Sequence, residues 1–190
     1  LHVTAEVETR DGRRGQGFGS MPMGNTWAWP SSQVSGDGTL AAMIQLGQRL
    51  VCEANEYRGM GHPLEITHEL AGQYQPSADA VTQAAGLAES MPRLAQLVAA
   101  SPLEAAIHDA YGKTLGQNSY NLLGKEFVNY DLSTYLTDEF RGEYLDRYTL
   151  REPKPTMPLY HLVGALDPLT TADVTTWIGD GLPETLPEWI

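Results

Sequence analysis

A single cysteine, Cys52, among 190 residues leaves no internal disulfide to staple the chain, so packing and hydrogen bonds must hold it. Cations are scarce as well, with 12 Lys and Arg against 24 Asp and Glu and a formal net charge of -12. Such a surface repels phosphate backbones and anionic headgroups, so neither nucleic acid nor a membrane surface is an expected partner. No run approaches the roughly 18 apolar residues of a bilayer span, which excludes a transmembrane helix. A charged-then-apolar leader is also missing at the start, and together with the lone cysteine this predicts a cytoplasmic, reducing compartment. Internal repeats and low-complexity tracts are absent too. What is present is 42% hydrophobic residues, enough to bury a core in one or two domains.

The chain opens on Leu1 and goes straight into Val3, Ala5 and Val7 in strict alternation, which reads as a strand entered without lead-in and an N-terminus that has been cut. Residues 2–10 and 13–19 are predicted to be two antiparallel strands joined at Asp11-Gly12, a two-residue hairpin signal. Residues 20–36 carry Gly, Pro, Ser and Asn without periodicity and read as a loop. Asp37 can cap a helix whose apolar positions Leu40, Met43, Ile44, Leu50, Val51 and Ala54 follow the 3.6-residue period. A shorter helix is predicted over about 64–72, and a third after Ser77 carries Val81, Ala84, Ala85, Ala88 and Met91 as far as Pro92.

The stretch Ser101-Pro-Leu-Glu-Ala-Ala-Ile-His-Asp-Ala-Tyr-Gly-Lys-Thr-Leu-Gly116 has the marks of a complete helix. Ser101 is the expected N-cap, Pro102 the first helical residue, Glu104 the partner in a capping box, and Gly116 the left-handed C-terminal cap. Glu104, Ala106, Asp109, Gly112 and Lys113, followed by Leu122-Leu-Gly124, resemble the signature in the capping domain of the mandelate racemase and muconate lactonizing enzyme family, within the enolase superfamily. The resemblance implies an α+β capping domain, an antiparallel hairpin followed by a helical bundle, over residues 1–125. A connecting segment then spans 126–156, rich in Tyr, Asp, Glu and Arg. It further implies that residues 157–190 begin a truncated (β/α)₈ TIM barrel: the apolar run from Met157 to Gly164 as its first strand, and Pro183 to Ile190 as its first helix.

Several groups could carry chemistry. Gly15-Gln-Gly-Phe-Gly19 invites a phosphate-loop reading, but no Lys-Ser/Thr and no helix follow it, so the glycines are expected to serve the strand. Glu65 and His68 at i and i+3, with His62 nearby, could set a carboxylate and an imidazole on one helical face. Without a second pair a metal lacks its remaining ligands, and a solvated face is expected instead. Adjacent His108 and Asp109 cannot share a helical face, and Asp109 is expected to cap or pair. Cys52 is expected in the core, and the lack of a Gly-x-Ser-x-Gly elbow argues against a hydrolase triad. The loop Met21-Pro-Met-Gly-Asn-Thr-Trp-Ala-Trp-Pro30 concentrates apolar surface outside any periodic face, as ligand-binding loops on rigid scaffolds do. Met21, Met23, Asn25, Thr26, Trp27 and Trp29 are therefore candidate substrate contacts; the two tryptophans could equally seal one part of the protein against another. The resemblance favours binding, because capping-domain loops close over the barrel mouth. It also adds His161 and Asp167, on and just after the expected barrel strand, where His161 could equally be a wall residue.

The activity implied is abstraction of the proton α to a carboxylate of a small hydroxy or sugar acid, with Mg²⁺ stabilising the ene-diolate. Racemisation, epimerisation, dehydration or cycloisomerisation could follow. The Lys-x-Lys base and acidic metal ligands of that family lie on later barrel strands, so neither a catalytic residue nor a Mg²⁺ ligand is assigned here. Residues 1–190 alone are expected to be inactive, and the intact enzyme a homo-oligomer. The alternative is a non-catalytic α+β binding or oligomerisation module.

Overall fold

Val3, Ala5 and Val7 alternate with polar residues, and in the computed structural model of the chain they form β1 (His2–Glu8), paired antiparallel with β2 (Arg14–Ser20). The structure describes residues 1–160, 162, 164 and 167–190. Register runs from His2 opposite Ser20 to Glu8 opposite Arg14. The connection differs from the two-residue turn expected. Gly12 N donates to Thr9 O at 2.8 Å and Thr9 N to Arg13 O at 2.9 Å, with Gly12 at φ 82°. Arg10, Asp11 and Gly12 thus form a three-residue loop, in which glycine supplies the left-handed residue.

Across this hairpin Val3, Ala5 and Val7 each face a glycine, Gly19, Gly17 and Gly15 respectively. One half of the inner face therefore carries side chains and the other is bare backbone. Against the bare half lies the long helix Arg93–Leu115, through Pro102, Ala106, Ala110 and Thr114, four residues apart and all buried. A Cβ on any of the three glycines would come within 3.0 Å of helix atoms, backbone atoms of Pro102, Ala106, Ala110 and Thr114 among them. The Gly-x-Gly-x-Gly spacing is thus a packing device.

After the hairpin come α1 (Asn25–Ala28), α2 (Gly36–Glu56), α3 (Pro63–Ala71), α4 (Tyr74–Ala84) and α5 (Arg93–Leu115). Ser35, not Asp37, caps α2, its Oγ accepting from Gly38 N at 3.2 Å. α4 stops at Ala84, short of Met91, and Gly86 at φ 61° turns the chain away. The largest difference lies in α5. The predicted start at Ser101 does not form, because the helix is already eight residues old there and Pro102 is interior and buried. Ser101 Oγ instead bonds back to Leu97 O at 2.8 Å, and Glu104 accepts from the Tyr74 hydroxyl at 2.6 Å. Gly116 closes the helix at φ 64°, as expected.

The core fills the space between α2, α4 and α5 with Met43, Leu46, Leu50, Tyr74, Ala78, Met91, Ala95, Val98, Ala99 and Leu103. Gln96 is fully buried there, and its amide donates to Met91 O and Gln75 Oε1, both at 2.9 Å. Cys52 is exposed on α2, not in the core. Residues 116–152 continue in short 3₁₀ turns anchored by buried Leu122, Leu123, Val128 and Leu132.

The chain divides into two compact units, Leu1–Glu152 and Pro153–Ile190. The first is a small α+β fold, a two-stranded antiparallel sheet with helices. In the second, the described residues form only a 3₁₀ turn at Thr171–Asp173 and the one-turn helix α6 (Leu186–Trp189), where a longer helix was expected. The expected buried strand is not found among the described residues of 157–164. Met157 is 76% exposed and Leu159 99%. No helix of the described residues is long and apolar enough to cross a membrane.

Candidate functional site

The loop after β2 is pinned at both ends. The Leu1 ammonium donates to Met21 O at 2.9 Å and Met21 N to Leu1 O at 3.0 Å, extending the hairpin by one rung. Gly24, at φ 45°, then starts the single turn of α1, which replaces part of the expected irregular loop. Met23, Ala28 and Trp29 are buried in the core of the first unit, and Trp29 Nε1 donates to Glu89 Oε1 at 2.7 Å. Trp29 therefore acts as an anchor, and Met21 packs partly buried against the same core. Thr26 and Trp27 stay exposed, Trp27 at 66%.

Asn25 links this loop to α2, its Nδ2 donating to Gly36 O at 2.8 Å and to Thr39 Oγ1 at 3.0 Å. Ser31 Oγ accepts from Gln33 N and Val34 N and holds the return of the loop. Between these fixed points lies a cavity of about 560 Å³, lined by Asn25, Thr26, Trp29, Ser31, Ser32 and Thr39 with Pro30, Val34 and Gly36. Three of the sequence candidates, Asn25, Thr26 and Trp29, thus meet on one wall. Met21, Met23 and Trp27 do not line it. The serines and Thr39 escaped notice in the sequence because small hydroxyl residues in a loop also signal turns and caps. The lining has amides, hydroxyls and an indole but no titratable side chain, so it can orient hydroxylated ligands and cannot itself move a proton.

The histidine and carboxylate residues weighed for metal binding do something else. His62 is buried and is the N-cap of α3. Its Nδ1 accepts from Leu64 N at 3.1 Å and its Nε2 faces Leu122 O at 2.9 Å. An amide can only donate and a carbonyl only accept, so these partners assign the proton to Nε2 and leave the ring neutral. Burial holds its pKa below the ordinary histidine value, against the pull of Leu122 O and Glu65. Glu65 is buried rather than solvated: Oε2 accepts from His62 N at 3.0 Å and Asn129 Nδ2 at 2.8 Å, and Oε1 from Asn129 N at 2.8 Å. Burial pushes Glu65 up, but the Asn129 and His62 hydrogen bonds outweigh it and hold the carboxyl below its usual range. His68 is exposed, edge-on to the Tyr135 ring at 5.1 Å. His108 sits half-buried, 6.2 Å from the His62 ring, and burial, helped by that neighbour, lowers it to about 4. Among the described residues no group of three His, Cys, Asp or Glu could hold a metal ion, so the side chains here do not fit Mg²⁺.

Asp109 is a fastener between elements. Its Oδ2 accepts from Phe18 N of β2 at 2.8 Å and from Lys113 Nζ at 2.6 Å. The Lys113 and Phe18 bonds hold its carboxyl below the usual carboxylate range. In the second unit, Asp167 is exposed and accepts from Gly164 N at 2.5 Å, closing a turn; His161 lies outside the described residues.

Comparison of the chain with protein-family models, curated proteins and solved structures finds no match.

Proposed function

We propose that this chain encloses the active site of a Mg²⁺-dependent enolising enzyme acting on a small hydroxy or sugar acid. The observation that carries this reading is the loop from Met21 to Thr39, where a pinned frame leaves Thr26 and Trp27 open beside an uncharged, hydroxyl-lined cavity. Sugar-acid hydroxyls pair well with amides and hydroxyls, and an exposed aromatic beside them can exclude water from a reacting carboxylate. The resemblance of the helix ending at Gly116 to the capping-domain signature supports the same reading. On it, Asn25 and Thr26 orient substrate hydroxyls and Trp27 covers them. The base and metal ligands belong to a barrel to which residues 157–190 contribute, and the cytoplasmic enzyme assembles as a homo-oligomer. On this reading the metal ligands lie outside residues 1–190, and a Mg²⁺ held there would supply the charge stabilisation that α-proton removal needs.

Incubating the protein encoded by the whole gene with hydroxy and sugar acids in D₂O tests this directly. Deuterium should enter at the α-carbon with Mg²⁺ present and not with EDTA, and Trp27→Ala should raise KM more than it lowers kcat. Absence of exchange across the panel overturns the reading. The uncharged cavity lining favours one rival, a non-catalytic binding module, which saturable sugar-acid binding without exchange would select.

A further inference from the structure

At the opposite end of the hairpin from that loop, about 20 Å away by strand length, a second cavity of about 670 Å³ opens within the first unit. Its volume falls in the range of small-molecule pockets. Val7, Ile66, Ile107 and Phe127 form apolar walls, and Met60, between Gly59 and Gly61, stands at its edge 77% exposed.

Four of the six polar side chains lining it are already engaged. The ring nitrogens of His62 meet Leu64 N and Leu122 O, and Asn129 gives its amide to Glu65. Thr9 bonds to Asp11 at 2.5 Å, and the Glu8 carboxylate is paired with Arg14 at 2.8 Å. Two groups remain, the Arg10 guanidinium and the Tyr111 hydroxyl, neither of which has a hydrogen-bond or ion-pair partner among the described residues. The contrast with its neighbours is informative: Arg13 pairs with Asp11 and Arg14 with Glu6 and Glu8, while Arg10, in a chain of net charge -12, is left without a carboxylate.

We propose that this cleft binds a small monocarboxylate with an apolar body, the Arg10 guanidinium and Tyr111 hydroxyl taking the carboxylate and the apolar walls taking the hydrocarbon. A guanidinium matches one carboxylate with two parallel bonds, whereas a phosphate dianion asks for more donors than the cleft leaves free. Burial raises the Tyr111 phenol, so it stays protonated and can donate. The site is independent of the enolising reading, since none of its lining residues belongs to the Met21–Thr39 cavity.

Calorimetric titration of the full chain with hexanoate and benzoate tests this, with acetate, 1-hexanol and inorganic phosphate as comparison probes. Hexanoate or benzoate should saturate one site, while acetate, lacking the body, and hexanol, lacking the charge, bind at least about tenfold more weakly. Arg10→Gln should weaken hexanoate by about tenfold or more, the factor a charge-assisted hydrogen bond carries. Arg10→Lys, retaining charge but not the fork, should fall between. Arg10 is exposed and unpaired, so both variants should melt like the parent. Hexanoate affinity unchanged in Arg10→Gln, phosphate binding tighter than hexanoate, or no saturation by either acid overturns the proposal.

Discussion

At Gly17 the inner face of β2 meets the backbone of α5 with no side chain between them. Backbone atoms of Ala106 and Ala110 cannot swing aside as a side-chain tip can, so a methyl group here must push helix and strand apart. Gly17→Ala should therefore cost about 3 kcal/mol of unfolding free energy, at the upper end of core overpacking. Gln16→Ala, one residue away on the exposed face, should stay within about 0.5 kcal/mol; urea midpoints measure both. His108 sets a second expectation. Its folded pKa of about 4 lies below the unfolded value near 6.5, so its stabilising contribution is complete above pH 6.5 and lost as pH falls toward 4. The full loss is about 3 kcal/mol, and His62, also lowered, acts in the same direction. Glu65 and Asp109, lowered as carboxylates, lose their contributions only further down, below the ordinary carboxylate values. Urea melts between pH 7 and 4.5 should show stability falling with pH, less steeply in His108→Gln.

Among the elements, α3 shows how a short helix is placed. Nine residues are too few for a stable helix in water, and its position comes from the clamp at its start. There His62 joins Leu64 N to Leu122 O, and Glu65 joins His62 N to residue 129. Glu65→Gln keeps the shape but turns one accepting oxygen into a donor facing donors, which should cost about 2 kcal/mol. Hydrogen exchange should then accelerate in α3 and around residue 129 before it does in α5. The element boundaries also show what was readable in advance. The hairpin strands, α3 and the Gly116 stop rest on local chemistry and are legible in the sequence. The start of α5 was misplaced because Ser101, Pro102 and Glu104 form a valid local cap, yet upstream residues 95–100 are buried almost continuously and keep the helix going through them. An interior proline costs a hydrogen bond and some strain; here its ring is buried where α5 meets Gly19.

For the whole molecule, the division after Glu152 has a practical consequence. The first unit contains every strand and every long helix described, whereas the described residues of the second form few backbone hydrogen bonds, and Leu159, Tyr160, Ile178 and Leu182 are exposed. Brief chymotrypsin digestion should cut first within 153–190, at the exposed Tyr160 or Trp177, and leave a product of about 160 residues or slightly more that melts cooperatively. Uniform cleavage across both units would contradict this.

By itself the sequence determined the period-2 hairpin, the Gly116 stop of α5, the excess of negative charge and the stock of candidate ligands, all properties of neighbours along the chain. Only the tertiary structure decided that Gly15, Gly17 and Gly19 serve a helix some 90 residues away, that Glu65 and His62 tie a helix start to residues 122 and 129, and that Arg10 alone among the hairpin arginines lacks a carboxylate among the described residues. The physical reason is the same in each case. A side chain's role follows from the donors, acceptors and atoms that surround it, and those surroundings are assembled from distant parts of the chain only when it packs.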